Sequence, residues 1–196
     1  MERLLMDLLT PEEGSIAVRL ARGAIEYAIG KKPKPLVKLS PVFSEKRGVF
    51  VTLNKNGCLR GCIGFPYPVM ALGEAIENAA VAAALEDPRF NHVRKDEIDQ
   101  LDFEVTVLTV PVPLDCEPKD RPNNIEIGRH GLIVRGMGTS GLLLPQVATE
   151  YGWDAKTFLS HTCDKACLPS SCWTTKNVEI MTFEGQIFHG SFKASV

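Results

Sequence analysis

Residues 58–64 read Cys58-Leu59-Arg60-Gly61-Cys62-Ile63-Gly64, which puts two thiols, a guanidinium and two glycines into seven positions. A thiol beside a fixed positive charge ionises more readily, and the thiolate is both the nucleophile and the metal ligand. A guanidinium offers a planar fork that suits a carboxylate or phosphate. Glycine lets the backbone come close to a ligand. These types together imply attack by Cys62 on a small anionic or acyl substrate. Arg60 would clamp the anion, and the amides of Gly61 to Gly64 would face developing negative charge. Leu59, Gly61, Ile63 and Gly64 are then ligand-binding candidates. A plainer reading stands beside it. Free cysteine usually packs as a small hydrophobe, and Arg60 would form a salt bridge to an acid such as Glu104 or Asp87.

Two further residues join the candidates. Arg89, in Asp87-Pro88-Arg89-Phe90, is either an anion contact or part of a helix stop and strand entry. His130, between Arg129 and Gly131, is the best placed of four histidines for a general base if it faces the same cleft as Cys62. A capping or surface role is its alternative. His161 lies two residues before Cys163, but residues i and i+2 do not share a helix face, so a metal pair is not expected. His92 and His189 carry no pattern. Trp153 and Trp173 read as core anchors.

The six cysteines are Cys58, Cys62, Cys116, Cys163, Cys167 and Cys172, spaced C-x3-C and C-x3-C-x4-C. Zinc knuckles bring C-x2-C steps, and iron–sulfur patterns do too. No metal is expected, and no cofactor is assigned. A cytoplasmic placement argues against a disulfide framework, although oxidation of some pairs stays open. The oxidation states of Cys58, Cys62, Cys163, Cys167 and Cys172 are not legible in the sequence.

The elements that must position these groups follow from local pattern. Thr10-Pro11-Glu12-Glu13 opens a helix with a capping box, and Gly30 ends it. Lys31-Lys32-Pro33-Lys34-Pro35 reads as a stiff linker. Val49 to Leu53 and Cys58 to Phe65 read as a hairpin around Asn56-Gly57. Regular alternation would put Cys58, Arg60 and Cys62 on one face, unless Gly61 and Gly64 bulge the strand. Leu72 to Glu86 is an Ala-rich helix, and Phe103 to Leu108 a strand. Pro111 to Asn124 is a long polar loop, with a candidate lobe boundary near 110–124. Gly131 to Gly136 and Leu142 to Leu144 are strands around a glycine-rich turn, which opens no helix and so is neither a dinucleotide nor a P-loop motif. Gln146 to Tyr151 and Asp154 to Ala166 are helical. Val178 to Phe183 and Gln186 to His189 read as a closing hairpin. The pattern is α+β, a mainly antiparallel sheet with flanking helices, in one domain over 1–196 with a larger and a smaller lobe.

Bulk properties narrow the class. Over 196 residues the net charge is −2 and 7% of residues are aromatic, so nucleic-acid binding is not expected. No apolar run approaches the ~20 residues that span a bilayer. Met1 to Asp7 lacks the pattern of a secretory leader, so a cytoplasmic location is expected. The substrate and the oligomeric state leave no mark.

Leu59-Arg60-Gly61-Cys62-Ile63-Gly64 resembles the signature of the AMMECR domain family. Glu86-Asp87-Pro88-Arg89-Phe90 is similar to its second block. Gly128-Arg129-His130-Gly131-Leu132 and Gly141 to Ala148 are similar to its third. Gly152-Trp153-Asp154, Lys165-Ala166 with Leu168-Pro169, and Trp173 are similar to its last. The resemblance implies a two-lobed α+β domain with the hexapeptide near a cleft. It assigns no reaction. By association it implies a Memo-type protein partner, or a role beside radical-SAM proteins, as the alternative to an enzyme. One position departs. Glycine is more usual where Cys167 stands, which suggests that this residue is not in a strict positive-φ turn.

Overall fold

The computed structural model describes residues 8–30, 32–33 and 37–191. Met1 to Asp7 and, of the expected linker, Lys31, Lys34 and Pro35 lie outside them. The chain divides into two compact units. One runs up to Leu108 and resumes at Gln186; the other is Thr109–Gly185.

In the first unit, helix α1 spans Pro11–Ala28. Its start is the capping box: Thr10 Oγ1 accepts the Glu13 N–H at 3.2 Å, and the Glu13 carboxylate accepts the Thr10 N–H at 2.9 Å. Strands β1 (Gly48–Lys55) and β2 (Cys58–Phe65) form the expected hairpin. Asn56 and Gly57 both take positive φ, the conformation that a two-residue turn with the right strand twist requires. Helix α2 spans Leu72–Leu85 and strand β3 Leu101–Leu108. With strand β8 (Gly185–Ser191) the sheet order is β2-β1-β3-β8. One sheet face, carrying Val49, Val51, Leu53, Phe103, Val105 and Val107, joins a single core with α1 and α2. Small side chains at Ala75, Ala79, Ala80 and Ala83 let α2 lie close on it. The alternate positions, Phe50, Thr52, Asn54, Asp102 and Glu104, are only half-buried on the opposite face.

In the second unit, strands β4 (Val112–Pro113), β5 (Gly131–Gly136), β6 (Thr139–Leu143) and β7 (Glu179–Phe183) form a sheet in the order β4-β7-β5-β6. Helices α3 (Pro145–Glu150) and α4 (Ala155–Lys165) accompany it. Its core joins Leu132, Val134 and Ile180 to Phe158, Leu159 and Cys163. The fold is therefore α+β with two antiparallel sheets.

One expectation fails. β7 and β8 are not a hairpin: β7 belongs to the second sheet and β8 to the first. The cause is what each strand packs against. Ile180, Met181 and Phe183 are buried in the second unit. Gln186 instead exchanges two 2.9 Å hydrogen bonds with the Leu9 backbone, and the Phe188 ring fills the slot over Gly14 of α1. The glycine-rich turn is also shorter than expected, consisting of Met137 and Gly138 alone at positive φ.

Candidate functional site

The β1–β2 register slips once. Asn54 opposes Leu59, but Leu53 opposes Gly61, so Arg60 is the extra residue of a β-bulge. The bulge falls one position before the first glycine and undoes the shared face expected of Cys58, Arg60 and Cys62. Gly61 turns toward α2, where a Cβ would run into the Ala83 carbonyl. Ile63 follows it and packs on the core. Cys62 turns the other way, opposite Thr52. Gly64 lies under the Phe50 ring, which leaves no room for a side chain. Leu59 remains 43% exposed. Both glycines thus answer to packing.

Arg60 reaches neither Glu104 nor Asp87; its acid is Glu97. Its Nη2 lies 3.1 Å from Glu97 Oε2, and it also donates to the Asn91 carbonyl at 2.8 Å and the His92 carbonyl at 3.3 Å. Lys55 Nζ donates to Glu97 Oε1 at 2.9 Å and the Arg94 N–H to Oε2 at 3.1 Å. Burial pushes the Glu97 carboxyl up, but the hydrogen bonds from Arg60, Lys55 and Arg94 outweigh it and hold the group at about 2. Only 15% of the Arg60 side chain is exposed. This is a closed network that ties the hairpin to residues 91–97, and it leaves Arg60 poorly placed to clamp an external anion.

Arg89 presents the opposite case. Asp87, 2% exposed at its side chain, receives Arg89 Nε at 2.9 Å and Nη2 at 2.7 Å as a bidentate pair. Asp87 Oδ2 also accepts the Cys62 N–H at 2.9 Å, and Arg89 Nη2 donates to the Cys62 carbonyl at 3.2 Å. β2 is an edge strand. The acid and base of one motif therefore satisfy the outward N–H and C=O of the other, as a neighbouring strand would. The Arg89 hydrogen bonds hold the Asp87 carboxyl well below the usual carboxylate range, against the upward push of burial. Arg89 itself is 54% exposed, and its Nη1 has no hydrogen-bond partner among the described residues. The guanidinium also lies 5.4 Å from the Phe90 ring centroid, a cation–π contact.

The Cys62 thiol is free and half-buried. Thr52 Oγ1 donates to its Sγ at 3.4 Å. Glu104 sits opposite Thr52 on the next strand, and His189 Nδ1 lies 3.6 Å from Glu104 Oε2. Thr52, Glu97 and His189 match no motif, and Glu104 enters the sequence reading only as an acid for Arg60. Thr52 and Glu104 carry one signal, the alternation of β1 and β3; Glu97 and His189 depend on strands and turns far apart in sequence.

His130 belongs to the second unit. Its Nδ1 accepts the Glu126 N–H at 3.1 Å, closing the turn before β5. Burial pushes its pKa down, opposed by the Glu184 carboxylate, so the neutral ring is favoured. This is the capping alternative, and it occupies the nitrogen that a base would use. His161 stacks on Trp153 at 4.0 Å, with Tyr151 on Trp153 at 5.0 Å. Among the described residues, no group of three or more His, Cys, Asp or Glu could hold a metal ion. Cys163 and Cys172 form a disulfide, so one pair whose oxidation the sequence leaves open is oxidised, although no disulfide framework is expected. Their spacing allows it because the chain reverses after α4 and brings Cys172 back onto it. Cys167 is at φ +57, against the expectation drawn from its identity. The Cys167 N–H bonds the Asp164 carbonyl at 2.9 Å and the Leu168 N–H the Cys163 carbonyl at 3.0 Å, a Schellman closure that demands the left-handed residue whatever its type.

The AMMECR1 family model matches residues 18–188. The chain belongs to the AMMECR1 family. A family relative from Methanosarcina mazei is 53% identical over 186 residues, covering 92% of this chain and 93% of that protein. Protein MJ0810 from Methanocaldococcus jannaschii is 48% identical, covering 93% and 92%. The crystal structure of uncharacterized protein PH0010 from Pyrococcus horikoshii superimposes with a TM-score of 0.85 at 46% identity, covering 93% of each chain. No described helix is long and apolar enough to cross a membrane.

Proposed function

We propose that this AMMECR1-family protein carries a thiol site for a small anionic ligand, with Cys62 as nucleophile and Arg89, rather than Arg60, as the cation that meets the charge. The observation that carries this reading is the double clamp on Cys62. Asp87 holds its N–H and Arg89 its carbonyl, while the thiol stays free. Fixing the backbone of a nucleophile and leaving its side chain unbonded to other sulfur is what positioning for attack requires. Arg89 keeps one unpartnered nitrogen at that clamp, which suits a carboxylate or phosphate.

Alkylation provides the test. Iodoacetate is anionic and iodoacetamide neutral, so the ratio of their rates at Cys62, followed by mass spectrometry of the peptide, reports the local cation. The ratio is expected to exceed that of glutathione and to fall about threefold or more in Arg89→Gln, the loss of one partly screened charge contact. An unchanged ratio in Arg89→Gln removes the anion role. A Cys62 no more reactive than glutathione removes the thiol role.

One observation favours a second reading, in which the site docks a partner of the Memo type without chemistry. β2 is an edge strand and Leu59 stands exposed beside the clamp. On that reading Cys62→Ser retains binding in a pull-down and Leu59→Asp loses it.

A further inference from the structure

Cys62 turns its backbone outward. Its N–H goes to Asp87 and its carbonyl accepts from Arg89, both beyond the edge of β2. It therefore exchanges no backbone hydrogen bond with Thr52, its register partner on β1. Such a pair is the narrow kind in an antiparallel ladder, with Cα atoms about 4.5 Å apart and side chains at their closest. The Thr52 hydroxyl has one proton to give, and it donates that proton to Cys62 Sγ at 3.4 Å. Thr52 itself is firmly seated. It lies on β1, between β2 and β3 in the sheet, and between buried Val51 and Leu53 in sequence. Its branched side chain is stiff at χ1, so the hydroxyl is in place before any ligand arrives.

We infer that Thr52 is the positioning residue of the Cys62 site, its hydroxyl holding the sulfur from the β1 side as a thiolate for attack. The inference rests on the thiol reading above. A neutral thiol is a weak hydrogen-bond acceptor, whereas a bond to an ionised acceptor is roughly twice as strong as one between neutral groups. A donor aimed at sulfur therefore does little for the thiol and favours its charged form. It also covers the β1 side of the sulfur. The side toward the strand edge, where Arg89 stands, is left for the anionic substrate.

No proton passes along the strands. On ionisation the thiol proton leaves to solvent, and Thr52 keeps its own. A sulfur electron pair then forms the C–S bond, while the bond from that carbon to its leaving group breaks and its electron pair departs with the leaving group. Around Cys62 the charged or titratable groups are Asp87 and Arg89 at the strand edge, Asp102 and Glu104 on β3, and His189, which reaches Glu104 from β8. All of them are shared by wild type and Thr52 variants, so a comparison between those proteins isolates the hydroxyl.

Threonine is also simply a good strand former, and valine would serve a packing role there equally well. Thr52→Val therefore separates the two roles. Neutral iodoacetamide is the probe, and its rate at Cys62 is followed from pH 5 to 10 by mass spectrometry of the peptide. The midpoint of the Thr52→Val profile is expected to lie about half to one pH unit above that of the wild type, which makes the variant about three- to tenfold slower at pH 6. Near pH 10, with both sulfurs ionised, the rates are expected to converge. Thr52→Ser, which restores the donor, is expected to follow the wild type within about twofold. A Thr52→Val profile with an unmoved midpoint overturns the inference and leaves the thiol site standing. So does a loss by one factor at every pH, the mark of a disturbed strand, and so does a Thr52→Ser protein as slow as Thr52→Val. A wild-type Cys62 no more reactive than glutathione takes down the thiol site and this inference together. Thermal midpoints check the fold of each variant, and Thr52→Ala carries the test if Thr52→Val does not fold.

Discussion

Cys62 and the Cys163–Cys172 pair show two ways of immobilising a cysteine. At Cys62 the backbone is held from outside by a carboxylate and a guanidinium, and the sulfur takes no part. At the end of α4 the sulfurs themselves are the fastener, joining buried Cys163 to Cys172. The first arrangement leaves a thiol free to react. The second uses up reactivity for stability. The same contrast recurs between Arg60 and Arg89. Arg60 is enclosed with Glu97, whereas Arg89 clamps Cys62 and keeps an open side. Residue type alone therefore does not separate structural from chemical roles here; what separates them is whether the reactive atom is consumed by the contact that fixes it.

The largest expected effect breaks the enclosed pair. Arg60→Ala leaves Glu97 buried with less of its compensation and is expected to cost about 3–5 kcal/mol, read from urea unfolding. Arg89→Ala strips Asp87, 2% exposed at its side chain, of its cation and leaves it the Cys62 and Arg89 backbone N–H groups, so a comparable loss is expected although Arg89 itself is half-exposed. A much smaller loss would show that those N–H groups carry the buried charge unaided. pH sharpens the Arg60 side of the comparison. The Glu97 carboxyl is held at about 2 in the folded chain against 4.5 ordinarily. Between those values the unfolded chain binds more protons than the folded one. Stability from this group is therefore complete above about 4.5 and is lost as pH falls through about 2. The urea midpoint is expected to drop across that window, and Glu97→Gln, itself less stable at neutral pH, is expected to flatten the drop.

Next in size is the covalent tie. Cys172→Ser opens a loop closed over a sequence separation of 9 and is expected to cost about 2–3 kcal/mol by chain entropy. A reducing agent is expected to lower the wild-type midpoint by a similar margin and to leave Cys172→Ser unmoved. Cys62→Ser, whose sulfur accepts only the Thr52 hydroxyl, a contact a serine oxygen can also take, is expected to shift stability by less than about 1 kcal/mol while abolishing alkylation at that position. A large loss in Cys62→Ser would mean that this thiol is a packing residue after all.

These contrasts also mark what the sequence could reveal. The capping box at Thr10 and Glu13, the Asn56-Gly57 turn and the limits of Cys58–Phe65 rest on neighbours within four residues, and they were legible. So were the two motifs that meet at Cys62, though not that Asp87 and Arg89 would grip its backbone. The bulge at Arg60 depends on α2 pressing against Gly61, a contact from 22 positions away that sets the face of Cys62. Glu97 has no local signature, since its partners Lys55 and Arg60 come from the distant hairpin. β8 misled for a related reason. Glu184-Gly185 looks like a hairpin turn locally, and only Leu9 ahead of α1 and Gly14 within it draw the strand to the other sheet. His189 gained meaning only from that destination.

The smallest expected effect has the opposite sign. Cys167 holds a left-handed conformation at φ +57 in the closure after α4, where a Cβ is crowded and glycine is not. Cys167→Gly is therefore expected to stabilise the protein by about 0.5–1 kcal/mol, the steric relief outweighing the extra entropy of glycine in the unfolded chain. Thermal unfolding under oxidising conditions reads it, since the nearby Cys163–Cys172 bond is then common to both proteins. The sulfur of Cys167 is exposed and free, so its loss removes no contact of the core. A destabilised Cys167→Gly would show that the thiol contributes something at that corner beyond a strained turn, and the line between sulfurs that fasten and sulfurs that stay free would have to be redrawn there.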